Sequence, residues 1–365
     1  MNYATRSRAL KAATMAVAIA SALSVAAFSG ALHAQTIKLT VAGGSPPTVT
    51  PTRITKDFFV PEINKRLAAS GNPFKIEWTE AYSQTLVKFT ETLEAVEEGV
   101  AHVGVLLKNF EESKLPLEQY VAMIPFGTAD TELQLRIDEK VRARVPELDA
   151  TYDKYNQVVL THAPSESQQL FTKFPVLKVE DMQGKKIGAS GALGQVLRGT
   201  GAVIVTSSML SSFTDIKAGV YDGYPISEGL AFPYKTYQAA PYMAKLDFGT
   251  PMVAALTVNK KTWLSLPPHA QKIFKDVARE YTQQYIASEK ARARQVAEAM
   301  KKEGVKFADF SYEERRRWAM KMPNIAREWA QQLDKEGQPG TKLLNAYMEE
   351  TRAAGVKPVR NWDKE

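Results

Sequence analysis

The stretch LKVEDMQGKKIGAS, Leu177 to Ser190, decides the fold. Its second half reads as a short strand, Lys186 to Ala189, and Ser190 then caps a helix predicted from Ala192 to Arg198. Gly188 inside that strand marks a place where another group comes close to the backbone. Working outward, the same strand-then-helix rhythm recurs. Ile37–Ala42, Phe74–Trp78 and His102–Leu107 read as strands separated by helices at Thr52–Ala69 and Thr85–Glu98. Such alternation predicts an α/β fold with largely parallel sheets covered by helices.

Further along, Val121–Phe126 reads as a buried strand and Glu132–Tyr155 as a long helix. Val158–Thr172 is rich in strand formers and long enough to leave one lobe and enter a second. That second lobe holds Lys186–Ala189, a strand at Ala202–Thr206 and a helix ending before Gly219, and Gly249–Val258 carries the chain back. Two crossings imply a hinge. Beyond Leu266-Pro267-Pro268 the pattern is helical, over Ala270–Lys302, Tyr312–Leu333 and Gly340–Ala354. The expected organisation is residues 1–34 as a leader, 35–160 as lobe I, 161–248 as lobe II, 249–280 returning to lobe I, and 281–365 packing across both.

Arg6, Arg8 and Lys11 precede an apolar, alanine-rich run from Ala12 to Phe28, and small residues up to Ala34 offer a cleavage site before Gln35. This is the pattern of a secretory signal peptide, short and serine-interrupted for a bilayer span. Its removal predicts a periplasmic chain with no membrane insertion. Losing those three bases and no acid takes the formal charge from +7 to +4. Basic residues are interspersed with acids, so a nucleic-acid partner is not expected. Even Arg315-Arg316-Arg317 follows Glu313-Glu314 on a solvated helix face. The absence of cysteine excludes disulfides, thiolate metal sites, cysteine nucleophiles and a lipid-modified cysteine.

Five ordered pieces carry a family resemblance. Asp181, Gly184, Lys186 and Ile187 match the E-D-L-x-G-x-K-I-R pattern of substrate-binding proteins of TRAP (tripartite ATP-independent periplasmic) transporters, the DctP type. Leu93–Gly99 (LEAVEEG) with His102-Val103-Gly104, Ile124-Pro125-Phe126, Ile216–Gly223 (IKAGVYDG) and Asn259–Pro267 (NKKTWLSLP) resemble further elements of that family, in its order. The resemblance implies a type II periplasmic-binding-protein fold that captures a small organic solute between two lobes and delivers it to TRAP membrane subunits.

In open α/β lobes, ligands settle beyond the carboxyl ends of strands. That rule nominates the loops Ser45–Thr48, Tyr82–Gln84, Lys108–Phe110, Glu166–Gln169, Gly188–Gly191 and Tyr224–Glu228, and within them Tyr82, Gln84, Lys108, Phe110, Gln168, Gln169, Gly188, Ser190, Tyr224 and Glu228 as ligand-binding candidates. Phe232 adds to the aromatic residues expected near the cleft. The chain departs from the family at its two arginines. Gln168 or Gln169 replaces the first and Gly188 the second, so neither position can form a bidentate guanidinium–carboxylate pair. Three compensations remain open: Lys108 as a substitute cation, the amino end of the helix after Gly191 with Ser190, or a neutral or zwitterionic solute. Glu228 is the candidate partner for a cationic group or metal.

A hydrolase is the rival class. Beyond the leader, the histidines are His102, His162 and His269, and none lies in a nucleophile elbow, zinc spacing or paired-carboxylate motif. The expectation is therefore a binding protein, an organic-acid carrier without the usual clamp, with no catalytic residue, no cofactor and no resident metal. A solute-binding component of a membrane sensor is the alternative within the binding class.

Overall fold

A computed structural model describes residues 36–365; the leader and its cleavage site lie outside the described residues. The eleven strands are β1 (Thr36–Ala42), β2 (Lys75–Ala81), β3 (Val103–Leu107), β4 (Gln157–Ala163), β5 (Gln169–Thr172), β6 (Lys186–Ala189), β7 (Val203–Thr206), β8 (Gly223–Ile226), β9 (Tyr242–Lys245), β10 (Ala254–Asn259) and β11 (Lys306–Asp309). One sheet runs β2-β1-β3-β10-β4, a second β11-β9-β5-β8, and β6 pairs with β7. β1, β2 and β3 are parallel, whereas β10 lies antiparallel between β3 and β4. Each lobe thus has its own sheets, and mixed pairing arises where the chain returns.

The long extended stretch expected over Val158–Thr172 is two strands, because Pro164 and the irregular segment through Ser165–Gln168 end β4 before β5 starts in the other sheet. The returning segment is likewise irregular until Ala254, after Pro251. The crossings still bond to each other: the Ser165 amide donates to the Pro251 carbonyl at 2.8 Å, and the Phe248 amide to that of Gln168 at 3.1 Å. The hinge is therefore a pair of crossing chains held by main-chain bonds.

Val121–Phe126 is not a strand. Pro116–Gln119 and Tyr120–Met123 wind as consecutive helical turns, and the Ile124 amide bonds back to the Tyr120 carbonyl at 2.9 Å. Helical winding puts Tyr120, Val121 and Ile124 together in the interior, a burial that a short apolar run satisfies equally well. The helix expected over Glu132–Tyr155 ends at Arg144 before Pro146, and the one over Tyr312–Leu333 is broken at Pro323. In the first long helix, Pro61 cannot donate to the carbonyl four residues back, and the chain widens into a π turn at Thr55–Phe59.

The helix Pro268–Lys302 ties the lobes together. Its first half buries Phe274, Val277, Tyr281 and Tyr285 in the core of the first sheet, and its second half buries Val296 and Met300 in the core of the second. The final helices fill a third core, where the Trp318 indole donates to the Val196 carbonyl at 2.8 Å and the Trp362 indole to that of Pro125 at 3.1 Å.

Motif residues act as staples in this frame. Asp181 accepts from the amides of Leu177 and Lys178, and the Asp222 amide donates to the Lys186 carbonyl. Asn259 accepts from the Thr262 amide at 3.0 Å and donates to the carbonyls of Val96 at 2.8 Å and Glu97 at 3.2 Å, joining the LEAVEEG helix to the returning strand. Replacing Asn259 with alanine leaves buried helix-end carbonyls unpaired, and should lower stability by about 2 kcal/mol or more in urea unfolding; an unchanged midpoint would contradict this role.

Candidate functional site

A cavity of about 500 Å³ lies where the carboxyl ends of β3, β6 and β8 meet the two crossing chains. That size suits a small organic molecule, for which pockets of about 300–1,000 Å³ are usual. The first lobe contributes Ser45, Thr50, Phe89 and Phe110, the second Ser190, Tyr224 and Tyr234, and the long helix Tyr285, Glu289 and Arg292. Phe89 and Phe110 pack with ring centroids 4.8 Å apart, giving the first-lobe wall an aromatic floor.

Of the ten candidate residues, Lys108, Phe110, Gln168, Ser190 and Tyr224 line this cavity. The Tyr224 hydroxyl lies 3.2 Å from both Ser190 Oγ and the Ser207 carbonyl, so it braces the Ser190 loop as well as forming wall. Gln168 bonds through Nε2 to Ser165 Oγ and to the Glu166 carbonyl.

The other five lie elsewhere. Tyr82 is in the first-lobe core, where burial pushes its hydroxyl well above the ordinary range. Gln84 is exposed on a left-handed turn with Ser83. Gln169 donates to Asp247 Oδ1 at 2.8 Å and accepts from the Asp247 amide at 3.0 Å, which consumes its amide at the hinge. Glu228 is half-buried outside the lining, and burial raises its carboxyl. Phe232 stacks on Tyr237 outside it too.

Gly188 is explained by Tyr221. A Cβ at Gly188 would stand 2.5–2.7 Å from the Tyr221 ring, and that ring is fixed by bonds from its hydroxyl to Ser207 and Asp215. Any side chain here displaces a wholly buried tyrosine. The signature arginine and this tyrosine placement exclude one another.

Lys108 corrects the substitute-cation expectation. Its ammonium is 1% exposed, donates to Glu118 at 2.6 Å, and lies 3.3 Å from His162 Nδ1. Glu118 also receives Arg142 at 2.8 Å, and Arg142 bonds Asp138 and Asp149 in turn. A lysine following directly on a strand was free to turn inward, and the carboxylate that draws it in comes from the unforeseen helical turn at Pro116–Gln119. Burial opposes the charge on Glu118, yet Arg142 and Lys108 hold its carboxyl well below the usual range. Glu118, Asp149 and His162 present ligand atoms within 4.8 Å of one another, but Arg142 and Lys108 already saturate the carboxylates, so they form an ion-pair network and not a cation cage.

The amino end of the helix after Ser190 is also taken. Glu112 projects from the first lobe so that a Cβ on Gly191 would overlap both its carboxylate oxygens, and the Ala192 amide opposes the upward push that burial exerts on its carboxyl.

Residues that the sequence reading missed sit mainly on the long helix. Tyr285, Glu289 and Arg292 recur at helical spacing and so share one face; that stripe was a usable signal. Arg292 donates to the Thr48 carbonyl of the first lobe at 2.8 Å and to the Gly229 carbonyl of the second at 3.1 Å.

The buried network generates a pH dependence. Burial and the charges of Arg142 and Lys108 depress His162, so acidification protonates the unfolded chain before the folded one. The contribution of His162 is therefore full above the ordinary histidine value of about 6.5 and is lost as pH drops below it. Glu118, also depressed, adds a second loss below the ordinary carboxylate range. His102, lowered by burial, and Glu166, raised by it, titrate nearby, so the readout is a difference. The urea midpoint of the unmodified protein relative to His162→Gln should fall as pH drops below about 6.5, and a difference that does not change with pH would exclude His162 as a source.

Comparison with known proteins agrees with this architecture. The family model described as "Bacterial extracellular solute-binding protein, family 7" (DctP) matches residues 67–332. No curated protein matches the chain. Among solved structures, a TRAP periplasmic solute binding protein from Desulfovibrio salexigens, in an open complex with the C-terminus of a symmetry mate in its ligand binding site, is 20% identical with a TM-score of 0.74, covering 87% of this chain and 96% of that one. A Bordetella pertussis extracytoplasmic solute receptor binding pyroglutamic acid is 21% identical with a TM-score of 0.70, covering 86% and 100%. A Chromohalobacter salexigens TRAP solute binding protein with bound D-glucuronate is 16% identical, also at 0.70, covering 86% and 99%. At these identities the likeness shows the fold, a two-lobed type II periplasmic-binding-protein architecture. With the family model spanning most of its length, the chain belongs to the DctP family of TRAP extracytoplasmic solute-binding proteins.

Proposed function

We propose that the protein is exported, loses residues 1–34, captures a small organic acid in the cavity between its lobes without an arginine clamp, and hands it to TRAP membrane subunits. The observation that carries this is the single cavity wall built from both lobes: Phe110 of the first and Tyr224 of the second flank the same space. A solute there touches both halves at once, and so favours the closed population over the open one. In this reading lobe I is 35–160 and lobe II 161–248, with 249–280 returning and 281–365 packed across them. Phe110, Gln168, Ser190 and Tyr224 contact the solute, while Lys108 supports the cavity from behind through Glu118.

Carboxylic acids bound by similar structures, pyroglutamic acid and D-glucuronate, support the solute class. None of the described helices is long and apolar enough to cross a membrane, in keeping with a partner-dependent transport step.

A thermal-shift screen of carboxylic acids, sulfonates and zwitterions tests this. A solute at a hundredfold over its dissociation constant adds about 2.7 kcal/mol, which should raise the melting temperature by about 4 °C in a chain of this size. Failure of every class to stabilise the protein, or consumption of a stabilising solute, would overturn the proposal.

A further inference from the structure

The cavity and its immediate surroundings hold more carboxyl groups than the lining cations can pair. Among the described residues, its lining cations are Lys108 and Arg292, and both are committed. Lys108 is held by Glu118, and Arg292 spans the carbonyls of Thr48 and Gly229. Against them stand Glu112 and Glu289 in the lining, and Glu166 immediately behind Gly229. Glu166 is 8% exposed; its Oε2 accepts from the Gly229 amide at 2.7 Å, and its Oε1 is buried with no partner. An unpartnered buried carboxylate oxygen costs free energy that a donor would recover.

Each route for a solute anion has been closed by the fold. Tyr221 occupies the space above Gly188, Gln169 is bonded to Asp247, and Glu112 itself sits at the Gly191–Ala192 turn. The Ser190 hydroxyl remains for a carboxylate, while the Gln168 amide already donates to Ser165 and to the Glu166 carbonyl; nothing positive and uncommitted lines the cavity among the described residues. The end of the cavity bounded by Glu289 and Gly229 is by contrast suited to a positive group. Tyr285 lies beside both carboxyls there, and Tyr234 also lines the cavity, so aromatic rings of the kind that attract cations are at hand.

From this arrangement we infer that the solute carries a cationic nitrogen, held at the Glu289–Glu166 end of the cavity, so that the acid transported is an amino-acid-like zwitterion and not a simple carboxylate. The inference rests on the proposed solute-binding function and names the chemistry of its ligand. Glu289 and Glu166 are then the residues that set specificity, and Arg292 fixes their surroundings by clamping the two lobes instead of the ligand.

The charges around the pair give the inference a signature independent of the solute's identity. Glu289 faces Thr50, Arg53, Arg292 and Tyr285, and Glu166 faces Glu228, Arg292, Tyr285 and the Gly229 amide. Burial raises both carboxyls, and the neighbouring Glu289 charge raises Glu166 further, to about 8, so Glu166 holds its proton near neutrality. An entering cation favours the ionised form and expels proton; an entering anion does the reverse and takes proton up.

The test uses matched solutes that differ by one amino group, glutarate against glutamate and phenylpropionate against phenylalanine, each with the unmodified protein and with Glu289→Gln. The amino member of at least one pair should bind about tenfold or more tighter than its partner, the equivalent of ~1.4 kcal/mol, and Glu289→Gln should remove that preference. Calorimetry of the unmodified protein in buffers of different ionisation enthalpy should show proton release, a readout that stands even if the variant fails to fold. Equal or tighter binding of the desamino members, or proton uptake, would overturn the inference while leaving solute binding intact. No binding by any member, in a protein that the carboxylate screen does stabilise, would overturn it as well; no stabilisation by any class would remove the function beneath it.

Discussion

The Arg292 guanidinium, bonded at once to the Thr48 carbonyl of one lobe and the Gly229 carbonyl of the other, is the constraint around which the cleft is organised. It projects from the one helix that contributes to both sheet cores, so the same rigid element sets the lobe spacing and presents Tyr285 and Glu289 to the cavity. Because the guanidinium is spent on backbone oxygens, its charge fixes geometry and only partly offsets the acids beside it. The cleft is closed by main-chain recognition, which asks nothing of the solute's charge.

Identity and ligand chemistry reside in different residues. Asp181, Asp222 and Asn259, which carry the family likeness, each hold one stretch of backbone against another. The side chains around the cavity are committed differently. Tyr221 fills the space above Gly188, Gln169 turns to Asp247, and Glu112 reaches across to the turn that an anion would use.

Much of the architecture was legible because strands and helices alternate with distinct periodicity. β1, β3, β6 and β7 lie where the apolar runs place them, and the long helix lies within two residues of its expected start. What failed was the short apolar run at Val121–Phe126, where neither length nor period separates a buried strand from a buried helical turn. The site was half legible for a related reason. Strand-end loops locate Phe110, Gln168, Ser190 and Tyr224, since topology alone brings them to the cleft. Topology does not say where a long side chain turns. Lys108 bends inward to Glu118, a carboxylate on a turn for which no element was expected, and Glu289 and Arg292 share a helix face whose spacing was legible but whose place in the cleft is set by tertiary packing.

A crystal structure of the protein with its bound solute would show whether this cleft reads its ligand without an arginine. The expected structure has Arg292 still bonded to Thr48 and Gly229, neutral donors on the solute's carboxylate, and the Glu289 carboxylate within hydrogen-bond distance of a solute nitrogen. An Arg292 drawn off both carbonyls to pair with a solute carboxylate, leaving Glu289 without contact to the ligand, would contradict it.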